Sequence, residues 1–184
     1  MRKVIYAINI TLDGCCDHTK GIADDELLAY YTQLVRGASL LAYGRKTYEL
    51  MVPYWPDIAR THSESQAEND FADAFDAARK AVFSRSLSAI KDKNTRLLRG
   101  NLRDEMAALK QEPGSGILVG GVSLPSQLIE LGLVDEFRFV VAPVLAGGGR
   151  RLLDGASLPQ TMKLRLVESK PLRSGCVALH YVRP

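Results

Sequence analysis

The order in which two hydrophobic periodicities follow one another constrains the fold of this chain more than any other feature. Between residues 4 and 131, short apolar runs typical of buried strands alternate with stretches that have the spacing of amphipathic helices. After residue 136 three strand-like runs follow without a helical pattern between them, and a Pro-Leu-Arg-Ser-Gly turn separates the last two. The sequence therefore predicts an α/β fold whose mixed, mostly parallel central sheet ends in an antiparallel hairpin.

The predicted elements fill most of the chain. Strands are predicted at residues 4–10, 39–43, 81–84, 95–98, 116–119, 137–144, 162–170 and 176–182, and helices at 24–36, 46–53, 101–110 and 123–131. Residues 66–79 are polar and are predicted to form a loop with helical turns. A hydrophobic fraction of 46% is enough to bury a core, and no low-complexity linker divides the sequence. Residues 1–184 are therefore predicted to be a single domain.

Charge and cysteine content narrow the classes of partner. A net charge of +3 without a basic run is not typical of a nucleic-acid-binding protein. No apolar stretch reaches the roughly 18 residues of a membrane span. Three cysteines, two of them adjacent, do not make a disulfide framework, which favours a cytoplasmic location. We therefore expect a small-molecule ligand, with neither nucleic acid nor membrane as a partner.

Residues suited to binding anions lie at the ends of three predicted strands. They are Gly44, Arg45, Lys46 and Thr47 after the second strand, Ser84, Arg85 and Ser86 at the end of the third, and Gly120, Gly121, Val122 and Ser123 after the fifth. Each motif alone also fits a structural alternative: a turn with solvated cations, an exposed loop, or glycines that ease helix–sheet packing. Because the carboxyl ends of parallel strands meet at one edge, the three together predict a site for a ligand with a pyrophosphate and a further phosphate.

Other phosphate-binding and catalytic signatures are absent or weaker. The chain has no G-x-G-x-x-G after its first strand and no P-loop. The glycine run 147–149 precedes Arg150 and Arg151, but its place between two sheet strands favours a structural turn. Residues 15–18 include two cysteines, an aspartate and a histidine, yet only two other histidines exist, so no metal site is predicted.

Several segments resemble the motifs of one enzyme superfamily. Residues 10–14 (I-T-L-D-G) are similar to the S-L-D-G that follows the first strand of riboflavin-pathway reductases, and residues 44–49 (G-R-K-T-Y-E) to the G-R-K-T-W-E of dihydrofolate reductases. Residues 84–86 and 117–121 resemble the S-R and I-G-G segments of that superfamily, and residues 132–136 followed by 142–151 resemble the riboflavin reductase ending. The chain is thus identified as a member of the dihydrofolate-reductase-like superfamily, close to the C-terminal reductase domain of riboflavin biosynthesis.

This resemblance implies a three-layer sandwich, NADPH as cofactor and a homodimer. It places residues 44–47 and 120–123 at the cofactor phosphates. Arg45 and Arg85 are the implied contacts to the 2′-phosphate side, which favours NADPH over NADH. Ala7 is the implied neighbour of the nicotinamide ring.

Four residues are candidates for the substrate side of the site. By the resemblance, the loop that contains Leu12 and Asp13 borders the nicotinamide and the substrate, and Asp13 is the preferred candidate for a catalytic polar contact. Tyr54 and Trp55 follow the second predicted helix. Their rings suit the wall of a pocket for a flat heterocycle, and they equally suit a hydrophobic plug.

The sequence also departs from both known activities. Bifunctional riboflavin enzymes carry an acidic residue where this chain has Val119, and they carry a zinc deaminase domain whose motifs are absent here. Dihydrofolate reductases place a carboxylate on the inward face of the first helix. Asp24, Asp25 and Glu26 lie before that face begins, which favours capping. Glu26 is the only one of the three that can turn inward and act as a catalytic acid.

Together these observations predict an NADPH-dependent oxidoreductase. Its expected reaction is hydride transfer to a C=N or C=O bond of a small heterocycle, as in dihydrofolate reductase or 5-amino-6-(5-phosphoribosylamino)uracil reductase. The expected substrate is an aminopyrimidine of the riboflavin type or a pterin-like ring. Two alternatives stay open: a true dihydrofolate reductase, and a nucleotide-binding module without turnover.

Overall fold

The computed structural model describes residues 1–184 except Lys91, Ala156 and Pro159. The strands are β1 (Lys3–Thr11), β2 (Leu40–Gly44), β3 (Lys80–Phe83), β4 (Thr95–Leu98), β5 (Gly116–Val119), β6 (Glu136–Ala142), β7 (Arg165–Pro171) and β8 (Val177–Val182). The α-helices are α1 (Asp25–Gly37), α2 (Arg45–Met51), α3 (Trp55–Thr61), α4 (Gln66–Ala77), α5 (Leu102–Gln111) and α6 (Ser123–Glu130), and a short 3-10 helix spans His18–Lys20.

The strands form one sheet that is parallel over most of its width. Within the described residues its order is β4-β3-β2-β5-β1-β6-β8-β7. The strands from β4 to β6 run parallel, whereas β8 is antiparallel to both β6 and β7. The predicted mixed sheet with a final antiparallel hairpin is therefore confirmed. One consequence is that the carboxyl ends of the parallel strands all lie at a single edge.

Helices cover both faces of this sheet. On one face, Met106 of α5 and Leu128 of α6 pack in a cluster with Tyr6 of β1. On the opposite face, Val35 of α1 and Phe75 of α4 pack in a cluster with Ala7 of β1. Adjacent residues of β1 thus serve opposite faces, as the two-residue period of a strand requires. The result is a helix–sheet–helix sandwich of three layers.

Two helices differ from what the sequence pattern predicts. Helix α4 is continuous where the polar composition predicts only a loop with helical turns. A capping box between Ser65 and Glu68 starts it, and Phe71 and Phe75 form its narrow buried face. The short helix α3 has no counterpart among the predicted elements. In both cases the apolar residues are too few to stand out in the sequence, and tertiary packing stabilises the helix.

Lys80 is a cation that lies inside the core. Its side chain is fully buried, and Nζ lies 3.0 Å from Oδ2 of Asp92, whose side chain is also buried. Nζ also donates to the carbonyl oxygens of Ala78 at 3.0 Å and Asp76 at 3.4 Å. The ammonium group lies 4.8 Å from the centre of the Phe75 ring. Since an ammonium group has three protons, all of them have an acceptor here.

Candidate active site

An open cleft of about 520 Å³ lies at the carboxyl ends of β2, β3, β4 and β5. This volume falls within the range of ~300–1,000 Å³ that is usual for small-molecule sites. All predicted cofactor-binding residues except Ala7 and Gly121 line it, namely Gly44, Arg45, Lys46, Thr47, Ser84, Arg85, Ser86, Gly120, Val122 and Ser123. The parallel sheet thus brings together three motifs that are far apart in the sequence.

The lining of this cleft is strongly basic. Its cations are Arg45, Lys46, Arg85, Arg99 and Arg150, and none of its described lining residues is acidic. Arg45 pairs with Glu49 of its own helix at 3.1 Å, in an exposed contact of the kind that contributes little. The side chains of Lys46 and Arg85 make no ion pair or hydrogen bond with any described residue. Such a group of cations attracts an anionic ligand.

The loop that carries Arg85 is held by hydrogen bonds to Ser84 and from Arg99. The hydroxyl oxygen of Ser84 accepts hydrogen bonds from the backbone N–H groups of Ser86 at 3.2 Å and Leu87 at 3.0 Å. Arg99 then donates to the carbonyl oxygens of Arg85 at 3.0 Å and Leu87 at 2.6 Å. The guanidinium group of Arg99 therefore braces the loop while it lines the cleft. Sequence reasoning missed Arg99, although it directly follows a strand, as other residues of the site do.

Arg150 reaches the cleft from a distant loop. Its Nη2 donates to the hydroxyl of Ser123 at 2.6 Å, at the start of α6. No side chain caps the N-terminus of helix α6. The backbone N–H groups of its first turn therefore have no side-chain acceptor from a cap. Arg150 also lies 3.4 Å from Asp154 in an exposed pair. The neighbouring glycine run was expected to be a turn, but the arginine that follows it adds a cation to the site.

The two glycines after β5 have structural reasons of their own. Gly121 has a φ of +87°, and a Cβ at this position would overlap the hydroxyl of Thr47. A Cβ at Gly120 would lie 2.9 Å from a ring carbon of Tyr43. The carbonyl oxygen of Gly121 accepts a hydrogen bond from the Tyr6 hydroxyl at 3.0 Å. Packing of the strand–helix junction therefore requires both glycines, and a direct contact of Gly121 with a cofactor stays a prediction.

Ala7 lies beside the cleft rather than in its lining. It is buried in the cluster under α1, and its partner in the neighbouring strand is Arg138. β1 is next to β5, whose carboxyl end lines the cleft. The position suits the expected contact of Ala7 with a nicotinamide ring, which nonetheless stays a prediction.

Asp13 anchors the loop that follows β6. Its carboxylate accepts hydrogen bonds from the Thr11 hydroxyl and from the backbone N–H groups of Ala146 at 3.1 Å and Gly147 at 2.9 Å. These bonds, the Thr11 hydroxyl first, lower the pKa of Asp13 to about 2. A carboxylate that is ionised and occupied in this way suits loop positioning better than proton donation. Leu12 beside it is 62% exposed, so its side chain is free to meet a substrate.

Glu26 is directed to the turn between β7 and β8. Its Oε2 accepts a hydrogen bond from the backbone N–H of Arg173 at 2.7 Å. Asp24, two residues earlier, caps α1 by accepting from the N–H of Leu27 at 2.7 Å, and this bond lowers the pKa of Asp24. The predicted capping role of Asp24 is thus confirmed. The contact of Glu26 with the turn does not favour the alternative that it acts as a catalytic acid.

Tyr54 and Trp55 have different environments. Trp55 packs against Phe71 of α4, with ring centres 4.5 Å apart, which makes it part of a hydrophobic cluster. Tyr54 contacts Trp55 edge-on and is half exposed. For Trp55 the structure favours the hydrophobic-plug alternative. Of these two rings, that of Tyr54 is the one with a face open to a ligand.

The remaining sequence candidates do not form a site. Cys15 is buried, and burial raises the pKa of the Cys16 thiol to about 11. Among the residues that the structure describes, no group of three or more histidine, cysteine or carboxylate side chains is arranged to hold a metal ion. Within the same residues, no helix combines the length and the apolar character needed to cross a membrane.

Comparison with known proteins gives the family. Residues 2–178 match the model of the RibD C-terminal domain. The uncharacterized protein YyaP of Bacillus subtilis (strain 168) is 31% identical over 184 residues, which cover 98% of this chain and 94% of YyaP. The uncharacterized protein YwjB of the same strain is 29% identical over 192 residues, which cover 99% of this chain and 98% of YwjB.

Solved structures with the same fold agree with this match. A pyrimidine reductase-like protein from Corynebacterium diphtheriae aligns over 100% of this chain and 92% of its own, with a TM-score of 0.69 and 13% identity. A diaminohydroxyphosphoribosylaminopyrimidine deaminase/5-amino-6-(5-phosphoribosylamino)uracil reductase from Thermotoga maritima aligns over 100% of this chain and 57% of its own, with a TM-score of 0.69 and 17% identity. The dihydrofolate-reductase-like fold that the sequence motifs indicate is confirmed. The chain belongs to the RibD C-terminal domain family.

Proposed function

We propose that the cleft binds NADPH and that the protein is an NADPH-dependent reductase of a small heterocyclic substrate. The observation that carries this proposal is the group of cations around the cleft. Lys46 and Arg85 make no ion pair or hydrogen bond with any described residue. Exposed cations that converge without a structural partner indicate an anionic ligand, and a dinucleotide with an additional phosphate supplies several negative charges.

Different residues of the cleft suit different parts of the cofactor. The start of α6, with Val122 and Ser123, and the motif 44–47 suit the pyrophosphate, because backbone N–H groups and hydroxyls are available there. Arg85, on its braced loop, and Arg45 suit the 2′-phosphate. A guanidinium group can bind a phosphate with two parallel hydrogen bonds, which gives a preference for NADPH over NADH.

NADPH supplies the hydride in such a reaction, and the chain binds and orients the reactants. The sandwich places Ala7 at the centre of the sheet next to the cleft, where a nicotinamide ring can meet a substrate over β1. Asp13 and Glu26 are both occupied by backbone N–H groups. Neither suits the donor of the proton that accompanies the hydride, so we assign proton delivery to water.

The substrate is proposed to be an aminopyrimidine or pterin-like ring other than dihydrofolate. The contact of Glu26 with the backbone of Arg173 supports this choice, because reduction of a dihydropterin needs a carboxylate on the inward face of α1. NADPH oxidation should be followed by absorbance with ribosyl- and ribityl-aminopyrimidines, pterins and dihydrofolate. Turnover of an aminopyrimidine or pterin supports the proposal. Rapid turnover of dihydrofolate that Glu26→Gln abolishes would favour a dihydrofolate reductase instead.

A nucleotide-binding module without turnover is the remaining alternative. It predicts tight NADPH binding and no oxidation of NADPH with any compound in the same panel. The two outcomes are separated by measuring binding and turnover on one preparation. Loss of turnover with retained binding would support the module.

We propose a homodimer that is formed through the edge of the sheet at β7. Every residue of this strand is exposed, and Leu166 and Val167 each keep 49% of their surface. An exposed edge strand with apolar side chains is suited to pairing with a second copy.

We also propose that residues 1–184 act as one domain, in the cytoplasm, without nucleic acid or membrane as partners.

A further inference from the structure

Two polar side-chain atoms lie covered at the interface between α1 and the sheet. They are Oδ1 of Asn9 in β1 and the hydroxyl of Tyr31 in α1, and neither has a hydrogen-bond partner among the described residues. Burial raises the pKa of the Tyr31 hydroxyl well above its ordinary value. A buried polar atom without a partner destabilises the folded state, so native proteins keep few of them without a reason.

Both residues lie on the same side of the sheet. Asn9 lies two residues after Ala7 and therefore on the same face of β1, and its neighbour across the strand pair is Val140 of β6. The Tyr31 side chain packs against two clusters, one that contains Ala7 and one that contains Val140. The ring of Tyr31 therefore lies over the face of the β1–β6 pair that carries Asn9. Both residues are partly exposed, although the two polar atoms themselves are covered.

Arg138 adds a third unpaired atom on this face. Its Nε is covered and has no partner within the described part of the chain. Its two Nη atoms form ion pairs with Glu136 at 3.8 Å and with Glu168 at 4.0 Å, and these pairs leave Nε without a partner. Arg138 is paired with Ala7 across the strands, and Val140 is paired with Asn9. The Cα atoms of Asn9 and Arg138 are thus separated by roughly 8 Å on the same face of the sheet.

We infer that Asn9, Tyr31 and Arg138 form the surface that recognises the substrate. The Asn9 amide offers a donor and an acceptor that exchange places when the amide flips, the Tyr31 hydroxyl can donate or accept, and Nε of Arg138 donates. This set matches the alternating N–H and C=O groups of a lactam edge on a flat ring. The inference rests on the proposed function, which places the nicotinamide beside Ala7. It deepens that function by assigning recognition to an amide, a phenol and a guanidinium group instead of a carboxylate.

The experiment compares two tyrosines that lie on opposite faces of the sheet. Tyr31→Phe removes only the unpaired hydroxyl, and Tyr181→Phe, in β8 against the other face, is the matched control. Binding of 5,6-diaminouracil and of pterin is measured by calorimetry, with and without NADP⁺. Binding of NADPH and the melting temperature are measured for each protein.

The inference predicts that Tyr31→Phe binds NADPH like the wild type, melts at no lower temperature, and loses about tenfold or more in affinity for both heterocycles. Tyr181→Phe should bind both like the wild type. Unchanged heterocycle affinity of Tyr31→Phe, a lowered melting temperature that reveals a structural partner, or a wild type that binds neither heterocycle would overturn it. Failure of the proposed function has a different signature, since all three proteins would then fail to bind NADPH.

Discussion

Basic side chains in the core and at the cleft have the same charge but opposite surroundings. In the core, Lys80 has no exposed surface, and it contacts a carboxylate, two carbonyl oxygens and an aromatic ring. At the cleft, Lys46 and Arg85 are exposed and make no such contact with any described residue. A cation whose donors are all used is explained by the fold. Cations that gather without partners at the ligand edge of a parallel sheet are explained by an anionic ligand.

The largest expected effect is on the buried cation. Lys80→Ala should lower the free energy of unfolding by about 3–5 kcal/mol, because it leaves the Asp92 carboxylate buried without its partner. Urea denaturation at neutral pH measures this change. Lys46→Ala is the matched control and should alter stability by less than about 0.5 kcal/mol. Equal effects of the two substitutions would remove the distinction between the core and the cleft.

The next effect concerns the cation on the braced loop. Arg85→Ala should weaken NADPH binding by about 10- to 150-fold, because a charge-assisted hydrogen bond to phosphate contributes about 1.5–3 kcal/mol. NADH, which lacks the 2′-phosphate, should lose far less. Fluorescence titration measures both, with Arg36→Ala, an exposed arginine at the end of α1, as control. Equal losses for the two cofactors would contradict the assignment of Arg85.

A smaller effect is expected at the junction between β5 and α6. Gly121→Ala should destabilise the fold by about 1–2 kcal/mol or more, because the backbone has a positive φ and the new Cβ meets Thr47. Thermal melting gives this value. If the variant melts like the wild type, Gly121 is not required by packing. Its effect on NADPH would then report directly on a backbone contact with the cofactor.

The smallest effect concerns Asp13 and appears only at acid pH. Its folded-state pKa of about 2 lies below the ordinary value of 3.8, so its contribution to stability is present above pH ~4 and is lost as the pH falls toward ~2. Urea denaturation of the wild type and Asp13→Asn should therefore show a difference that shrinks over this interval. A difference that is constant with pH would mean that the charge of Asp13 does not hold the loop.

Local patterns were sufficient to predict the sheet and the grouping of the cleft residues. Residues 44–47 and 84–86 come together because each follows a parallel strand, and that relation can be read from alternating strand and helix patterns. Helix α4 was harder to predict from the sequence, because its buried face consists of few residues within a polar segment. A parallel sheet thus makes a site at its edge predictable once the strands are known.

The roles of single side chains were less predictable, because their partners are distant in the sequence. Asp13 is held by the backbone of residues 146 and 147, and Glu26 by the backbone of Arg173. Arg150 enters the cleft only because its loop folds over the start of α6. No local pattern encodes such contacts. The contacts of Asp13 and Glu26 with these loops were therefore not predictable, and the catalytic roles proposed for both carboxylates stay predictions.

The central claim is that the unpartnered cations of the cleft bind the phosphates of NADPH. Fluorescence titration of the wild-type protein with NADPH and with NADH, at one ionic strength and pH, tests it most directly. We predict saturable binding of both cofactors, with NADPH bound at least about tenfold more tightly because of its 2′-phosphate. Equal affinities, or no binding of NADPH, would contradict the claim.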